Sequence, residues 1–238
     1  MFRYEPESHF GDPKGDLLFR KLFVDNPDLA AHFLQAILEV NQDITGLRSV
    51  DPHRFPTGRG RKLCIFDLKF LDDKQRPYVI EMQQRKTNDL DKRLPAGQKY
   101  NKLKEAALVV ILNFCRTNEA EYKHVYLLKN HNENVICGGG GEGGRDGLAT
   151  ITLELPKFSL TAEECTTMEH CLLFMLKTGH TLNAPPKHPR LDSAQHRIVD
   201  RAYYQLVRHE WSAEMCSEYA DWLQTTRDNA SYVEQGIV

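Results

Sequence analysis

The sequence predicts an α/β protein with a central mixed β-sheet flanked by helices and a C-terminal helical hairpin. Three observations carry this expectation. Leu63–Leu71 and Pro77–Gln83 alternate apolar and polar residues around the polar stretch Asp72–Arg76, the pattern of an antiparallel hairpin. Ala106–Phe114 is apolar throughout except for Asn113 and is β-branched in its middle, as a strand covered on both faces is. Other stretches repeat apolar residues at helical spacing. The chain has 238 residues, of which 41% are hydrophobic and 27% charged, enough for a large domain with an appendage and a core of its own. The expected organisation is a catalytic-type domain over 1–182 and a helical extension over 183–238.

The elements follow in order. Residues 1–15 are polar and contain Gly and Pro, and read as a loose lead-in. From Asp16, apolar residues at 18, 19, 22 and 23 form one helix face, with Asp16 placed to start the helix. Asn26-Pro27-Asp28 opens a second helix striped by Leu29, Phe33, Ala36, Ile37 and Val40. Ile44–Phe55 reads as extended, and Thr57–Arg61 as a basic turn into the hairpin. Asn88–Lys104 is helical in pattern but interrupted by Pro95 and Gly97. After the apolar strand, Tyr122–Leu128 and Ala149–Leu155 are further strands. The glycine run 138–144 lacks the G-K-[ST] of a phosphate loop and reads as a hairpin tip. Thr161–Thr178 is a helix with a capping box at Thr161 and Glu164. A Pro-rich linker, Thr181–Arg190, leads to two last helices, Asp192–His209 and Ser212 to about Thr226. Ile198, Ala202, Leu206, Met215, Tyr219, Trp222 and Leu223 supply their apolar seam.

Several functions are excluded or left without support. The longest wholly apolar run, Ala106–Leu112, is far short of the roughly 20 residues that span a bilayer. The N-terminus has no signal-peptide core, so a cytoplasmic protein is expected. None of the six cysteines forms a C-x-x-C pair, no Cys–His group has zinc-finger spacing, and Cys64 and Cys115 read as buried hydrophobes. His170, His180, His188, His196 and His209 read as surface or packing residues. Net charge is −2, which by itself says nothing of nucleic acid. Between Gln84 and Lys104, however, seven lysines and arginines face two acids, and Arg59, Arg61 and Lys62 precede the hairpin. Such a zone suits a phosphodiester, although a charge run on its own is more often a solvated helix face.

The hairpin carries the chemistry. Pairing Leu71 with Pro77 sets Asp67 opposite Glu81, Lys69 opposite Val79 and Ile65 opposite Gln83. Directly opposed residues share a face, with Cβ atoms about 5 Å apart, and like charges so placed destabilise the pair unless neutralised. A hard divalent cation neutralises them, since it prefers carboxylate oxygen. A register shifted by one residue would place the two acids on opposite faces. Alternatively, both acids belong to the solvated face of a two-sided hairpin.

Two acids on a hairpin, with a polar residue two places after the second, follow the pattern D-x(n)-[DE]-x-[KQ]. The chain thereby resembles the PD-(D/E)XK nucleases. Val79-Ile80-Glu81-Met82-Gln83 is similar to the I-E-M-Q phrase of the recombination-promoting nuclease and transposase (Rpn-like) branch. Three further phrases agree, in the same order: Asp16–Phe23 with D-x-x-F-[KR]-x-L-F, Phe33–Leu38 with F-L-x-A-I-L, and Glu154–Phe158 with E-L-P-K-F. The pattern departs from the family between Arg93 and Gln98, where several helical turns are missing.

This resemblance implies a restriction-endonuclease-like core and a Mg²⁺- or Mn²⁺-dependent DNA endonuclease tied to recombination or a mobile element. It implies a metal held by Asp67, Glu81 and the carbonyl of Met82. Asp16 is a further candidate ligand, although helix capping accounts for it equally well. Gln83 stands where lysine is usual, as in the family branch, and Lys69 is a candidate to supply the missing charge. Arg61, Lys62, Arg85, Lys86 and Arg93 are the candidate DNA contacts. A homodimer is left open, because nucleases that cut both strands often pair. The alternative is a catalytically impaired relative that binds nucleic acid or protein.

Overall fold

The structure, a computed structural model, describes residues 9–38, 44–50, 66–85, 106–127 and 148–234. The chain divides into two compact units, Ala30–Ser159 and the combination of Met1–Leu29 with Leu160–Val238.

The first unit is built on a sheet. Its strands are β1 (Arg48–Ser49), β2 (Phe66–Leu71), β3 (Pro77–Gln83), β4 (Ala106–Leu112), β5 (Lys123–Leu127) and β6 (Leu148–Glu154). Among the described residues they form six strands in the order β1-β2-β3-β4-β6-β5. The β1–β2, β2–β3 and β5–β6 pairs are antiparallel, and the β3–β4 and β4–β6 pairs are parallel. The sheet is therefore mixed, as the sequence predicts. β4 lies between two parallel neighbours, with Val109, Val110, Ile111 and Leu112 all nearly inaccessible. Its unbroken apolar run reflects that position, since both of its faces are covered. β5 is an edge strand and leaves Val125 and Tyr126 exposed.

The second unit is helical. It contains α1 (Asp16–Val24), the start of α2 (Pro27–Leu38), α3 (Met168–Thr178), α4 (Ser193–Leu206) and α5 (Ala213–Glu234). α1 buries Leu18, Phe19, Leu22 and Phe23, the stripe its sequence spells. α4 packs against α1 and α3, and α5 packs against α1. Each fully buried Leu or Phe contributes roughly 1.5–3 kcal/mol. A capping box at Asp192 and Gln195 starts α4, and the Ser212 hydroxyl accepts the Met215 N–H at the start of α5.

Three expectations are corrected and one, the third, is extended. The lead-in is not loose over residues 9–15. Phe10 bridges to Val207, Gly11 N–H donates to Leu206 O at 2.8 Å, and Phe10 and Lys14 are almost wholly buried. Gly11 is required because a Cβ there would lie 2.4 Å from the Trp211 ring. Next, α3 begins at Met168, not Thr161. Glu164 does reach back to the Thr161 N–H at 2.8 Å, but that closes a single turn, and the extended Thr167 then caps the real helix. Third, the aromatic seam of the last two helices also serves the N-terminal segment. Trp211 meets Tyr219 edge-on, Tyr219 stacks on Trp222, and the Tyr219 hydroxyl accepts the Asp12 N–H at 2.7 Å. Fourth, Cys115 is exposed, because β4 ends at Leu112 and the cysteine falls in the following loop. The expected helix at 88–104, the glycine tip at 138–144 and Cys64 lie outside the described residues, as does all but 44–50 of the segment Ile44–Phe55.

Candidate active site

The β2–β3 hairpin is fixed by its loop. Asp72 is wholly buried and accepts the Arg76 N–H at 2.8 Å, Arg76 Nε at 2.6 Å and the Tyr78 hydroxyl at 3.2 Å. Burial pushes its carboxyl up, but these donors and the adjacent guanidinium outweigh that, so it titrates below the usual aspartate range. Gln75 takes the left-handed conformation, φ 61°, that the turn needs. Asp73 donates its N–H to Thr45 O at 3.0 Å, which ties the turn to the approach to β1.

This loop sets the expected register. Leu71 pairs with Pro77, Lys69 with Val79 and Asp67 with Glu81. Glu81 and Gln83 are also aligned with Val110 and Leu112 of parallel β4. Gln83, Leu112 and Glu154 thus share the carboxyl end of three parallel strands, the end at which open α/β sheets bind ligands.

Glu81 and Gln83 are only 3% and 6% exposed, and Gln83 Nε2 donates to Glu81 Oε1 at 2.8 Å. Spacing of two residues puts them on one face, which is why the amide reaches the carboxylate. Gln83 Oε1 is buried and has no hydrogen-bond partner among the described residues. Such an orphan costs roughly 1–3 kcal/mol, so a water or ligand donor fits beside it. A buried acid and an open amide oxygen form an oxygen-only donor set, which suits a hard cation such as Mg²⁺. Lys69 is exposed on β2, and Met82 is buried on β3, 2% exposed, in register with Phe66 and Ile111. Ile65, the expected partner of Gln83, lies outside the described residues.

Asp16 belongs to the helical unit. It is not the cap of α1: Gly15 holds the extended cap position, and its Cβ-free backbone lies against Trp222. Asp16 sits in the first turn with Oδ1 buried and unpartnered. Burial pushes its carboxyl up to about 7, against the pull of Arg20. Arg85 is half-buried just after β3, while Arg61, Lys62, Lys86 and Arg93 lie outside the described residues.

A further buried polar centre among the described residues of the sheet unit is not one that the sequence singles out. Glu154, at the end of β6, is fully buried. It accepts the N–H groups of Arg116 and Thr117 at 2.9 and 3.2 Å and the Thr117 hydroxyl at 3.0 Å, and it pairs with Lys157 Nζ at 2.9 Å. Lys157 also donates to the Thr117 hydroxyl at 2.6 Å. Burial pushes Glu154 up, but Lys157 and these donors outweigh it, and the carboxyl titrates below the usual range. The E-L-P-K-F phrase was its signal: a 3₁₀ turn over Leu155–Lys157 brings the lysine back over the glutamate. Together they hold the loop that follows β4, whose Asn113 donates its N–H to Gln83 O at 2.9 Å.

A family profile described as PD-(D/E)XK nuclease family transposase matches residues 13–236. No curated protein and no solved structure matches the chain.

Proposed function

The chain belongs to the PD-(D/E)XK nuclease family of transposases, and on that premise we propose that it is a Mg²⁺-dependent DNA endonuclease acting in recombination or on a mobile element. The mixed sheet, six-stranded among the described residues, is consistent with the restriction-endonuclease-like fold of that family. The observation that carries the proposal is the end of β3: Glu81 is buried opposite Asp67 in the register, and the Gln83 amide binds Glu81 while its own oxygen is left without a donor.

In this reading Asp67 and Glu81 offer carboxylate oxygens to one divalent cation, with the Met82 carbonyl as a further donor. Nucleases of this type use divalent metals, and the cation supplies Lewis-acid neutralisation of the phosphate and a lowered pKa for an attacking water. Gln83 Nε2 holds Glu81 in one rotamer. Gln83 Oε1 would accept a hydrogen bond from the attacking water and so aim its lone pair at phosphorus. Lys69 adds positive charge on the same strand pair where negative charge builds in the transition state. Arg85 begins the basic segment that receives the DNA backbone, and two chains act together where both strands are cut.

Purified protein is incubated with supercoiled plasmid, with and without Mg²⁺ or Mn²⁺. Metal-dependent nicking that disappears in Asp67→Ala and in Glu81→Ala supports the endonuclease. A second reading, a catalytically impaired relative that binds nucleic acid or protein, draws on the departure between Arg93 and Gln98. Plasmid retention without nicking in any metal would favour it and overturn the first.

A further inference from the structure

We propose that the helical unit carries a second metal site, of thiolate and imidazole type, formed by Cys165, Cys171 and His188 and fitted to Zn²⁺. Among the described residues these three form the one group of histidine, cysteine and acidic side chains whose ligand atoms all lie within 4.8 Å of one another. Cys165 and Cys171 are wholly buried and His188 is 1% exposed.

The imidazole is set up to coordinate. His188 Nδ1 lies 3.1 Å from the carbonyl oxygen of Ala162, which can only accept, so Nδ1 carries the proton. Nε2 therefore presents a lone pair, and it is buried with no partner among the described residues. A backbone carbonyl that fixes the tautomer and leaves the other nitrogen free is the usual support behind a metal-bound histidine. Packing holds the ring as well: Tyr203 stacks on it at 6.3 Å and 20°, and Phe174 meets its edge at 5.8 Å. The Tyr203 hydroxyl is itself buried without a partner. The Cys165 thiol adjoins both the imidazole and the Cys171 thiol, so the three ligand atoms already face one another.

The donor set selects the metal. Sulfur and imidazole favour zinc over magnesium, which keeps this site chemically apart from the oxygen-rich end of β3. Tetrahedral zinc with Zn–S bonds of about 2.3 Å separates its ligand atoms by about 3.8 Å, so a contraction of at most about 1 Å closes the site. Binding forms two S–Zn bonds and one N–Zn bond, releases the two thiol protons to solvent and leaves the fourth tetrahedral position to a water. The Cys165 Sγ contact with Thr161 O, 3.2 Å, is given up when that thiol loses its proton. The ion joins the turn before α3, the first turn of α3 and the Pro-rich segment before α4, so its role is to hold these three together.

The full chain, purified without chelator from zinc-supplemented cells, is assayed for metal by mass spectrometry. About one zinc per chain is expected, lost in Cys165→Ser, Cys171→Ser and His188→Ala. It is retained in Cys216→Ser, an exposed cysteine elsewhere, and in Glu81→Gln at the proposed nuclease site. Because a ligand variant can fail to fold, Co²⁺ is also titrated into the unaltered apo-protein. Sulfur-to-cobalt charge-transfer bands that Zn²⁺ erases and excess Mg²⁺ leaves intact support the site. A protein free of zinc, with no such bands and with its thiols free or joined as a disulfide, overturns it.

Discussion

Two buried glutamates stand at the same end of the parallel strands, and they are treated in opposite ways. Glu154 on β6 is satisfied from within the chain: two backbone N–H groups, a hydroxyl and a lysine converge on it. Glu81 on β3 receives the Gln83 amide, leaves that amide's oxygen without a donor, and stands in register with a second acid. A carboxylate that the fold needs for itself is saturated. On the proposed function, Glu81 is kept for an incoming ion, with an orphaned oxygen beside it and an acid across the ladder.

The largest effect is expected at the saturated glutamate. Glu154→Ala leaves Lys157 buried beside a void and should cost roughly 3–5 kcal/mol of folding stability, read as a lower urea midpoint. Since its carboxyl titrates below the usual value of 4.5 when folded, its contribution is present above that pH. It fades as pH falls through the folded value, so the variant and the parent should converge in acid. An unchanged midpoint near neutrality would erase the contrast from this side.

Glu81→Gln should do the reverse. Its unfolding free energy should stay within about 1 kcal/mol of the parent, while metal-dependent nicking falls by at least about 10²-fold. A variant that unfolds readily yet cuts at the parent rate would make Glu81 another structural carboxylate.

Asp16 tests the same idea in the helical unit. Folding favours its protonated form, because burial pushes the carboxyl from 3.8 to about 7. The native state is therefore penalised as pH rises above 3.8, with the full penalty reached above 7. With chelator present, Asp16→Asn should be the more stable protein at pH 8, by roughly 2 kcal/mol once partial solvent screening is allowed for. The difference should vanish near pH 4, and stability curves parallel across this range would contradict the assignment. The smallest effect belongs to exposed Lys69: Lys69→Ala should slow nicking about tenfold, near 1.4 kcal/mol, with metal affinity nearly intact. An unaltered rate removes it from the mechanism.

The hairpin was legible because alternation assigns faces and a five-residue polar loop marks the turn. The parity was an assumption, Leu71 opposite Pro77, and the ladder has that register, with Asp67 opposite Glu81. The mixed sheet followed from the unbroken apolar run of β4. Glu154 was visible only as part of a phrase, since all its donors but Lys157 come from a loop nearly forty residues away in sequence. Capping is one of the two readings the sequence allows for Asp16, because caps are read from residue type, whereas Gly15 holds that position, lying against Trp222. The Cys165, Cys171 and His188 group escaped because its spacing matches no local ligand pattern and its histidine sits in a Pro-rich segment that reads as linker. The true start of α3 escaped because a capping box can close one turn and stop.

The most direct test of the central claim is Mn²⁺ binding by calorimetry to the parent, Asp67→Ala, Glu81→Ala, their double variant and Glu154→Gln. The account predicts that each of the first two loses the Mn²⁺ site, that the double variant loses no more than either single one, and that Glu154→Gln still binds. Parent-like binding in Asp67→Ala and Glu81→Ala would show that these two carboxylates hold no common ion.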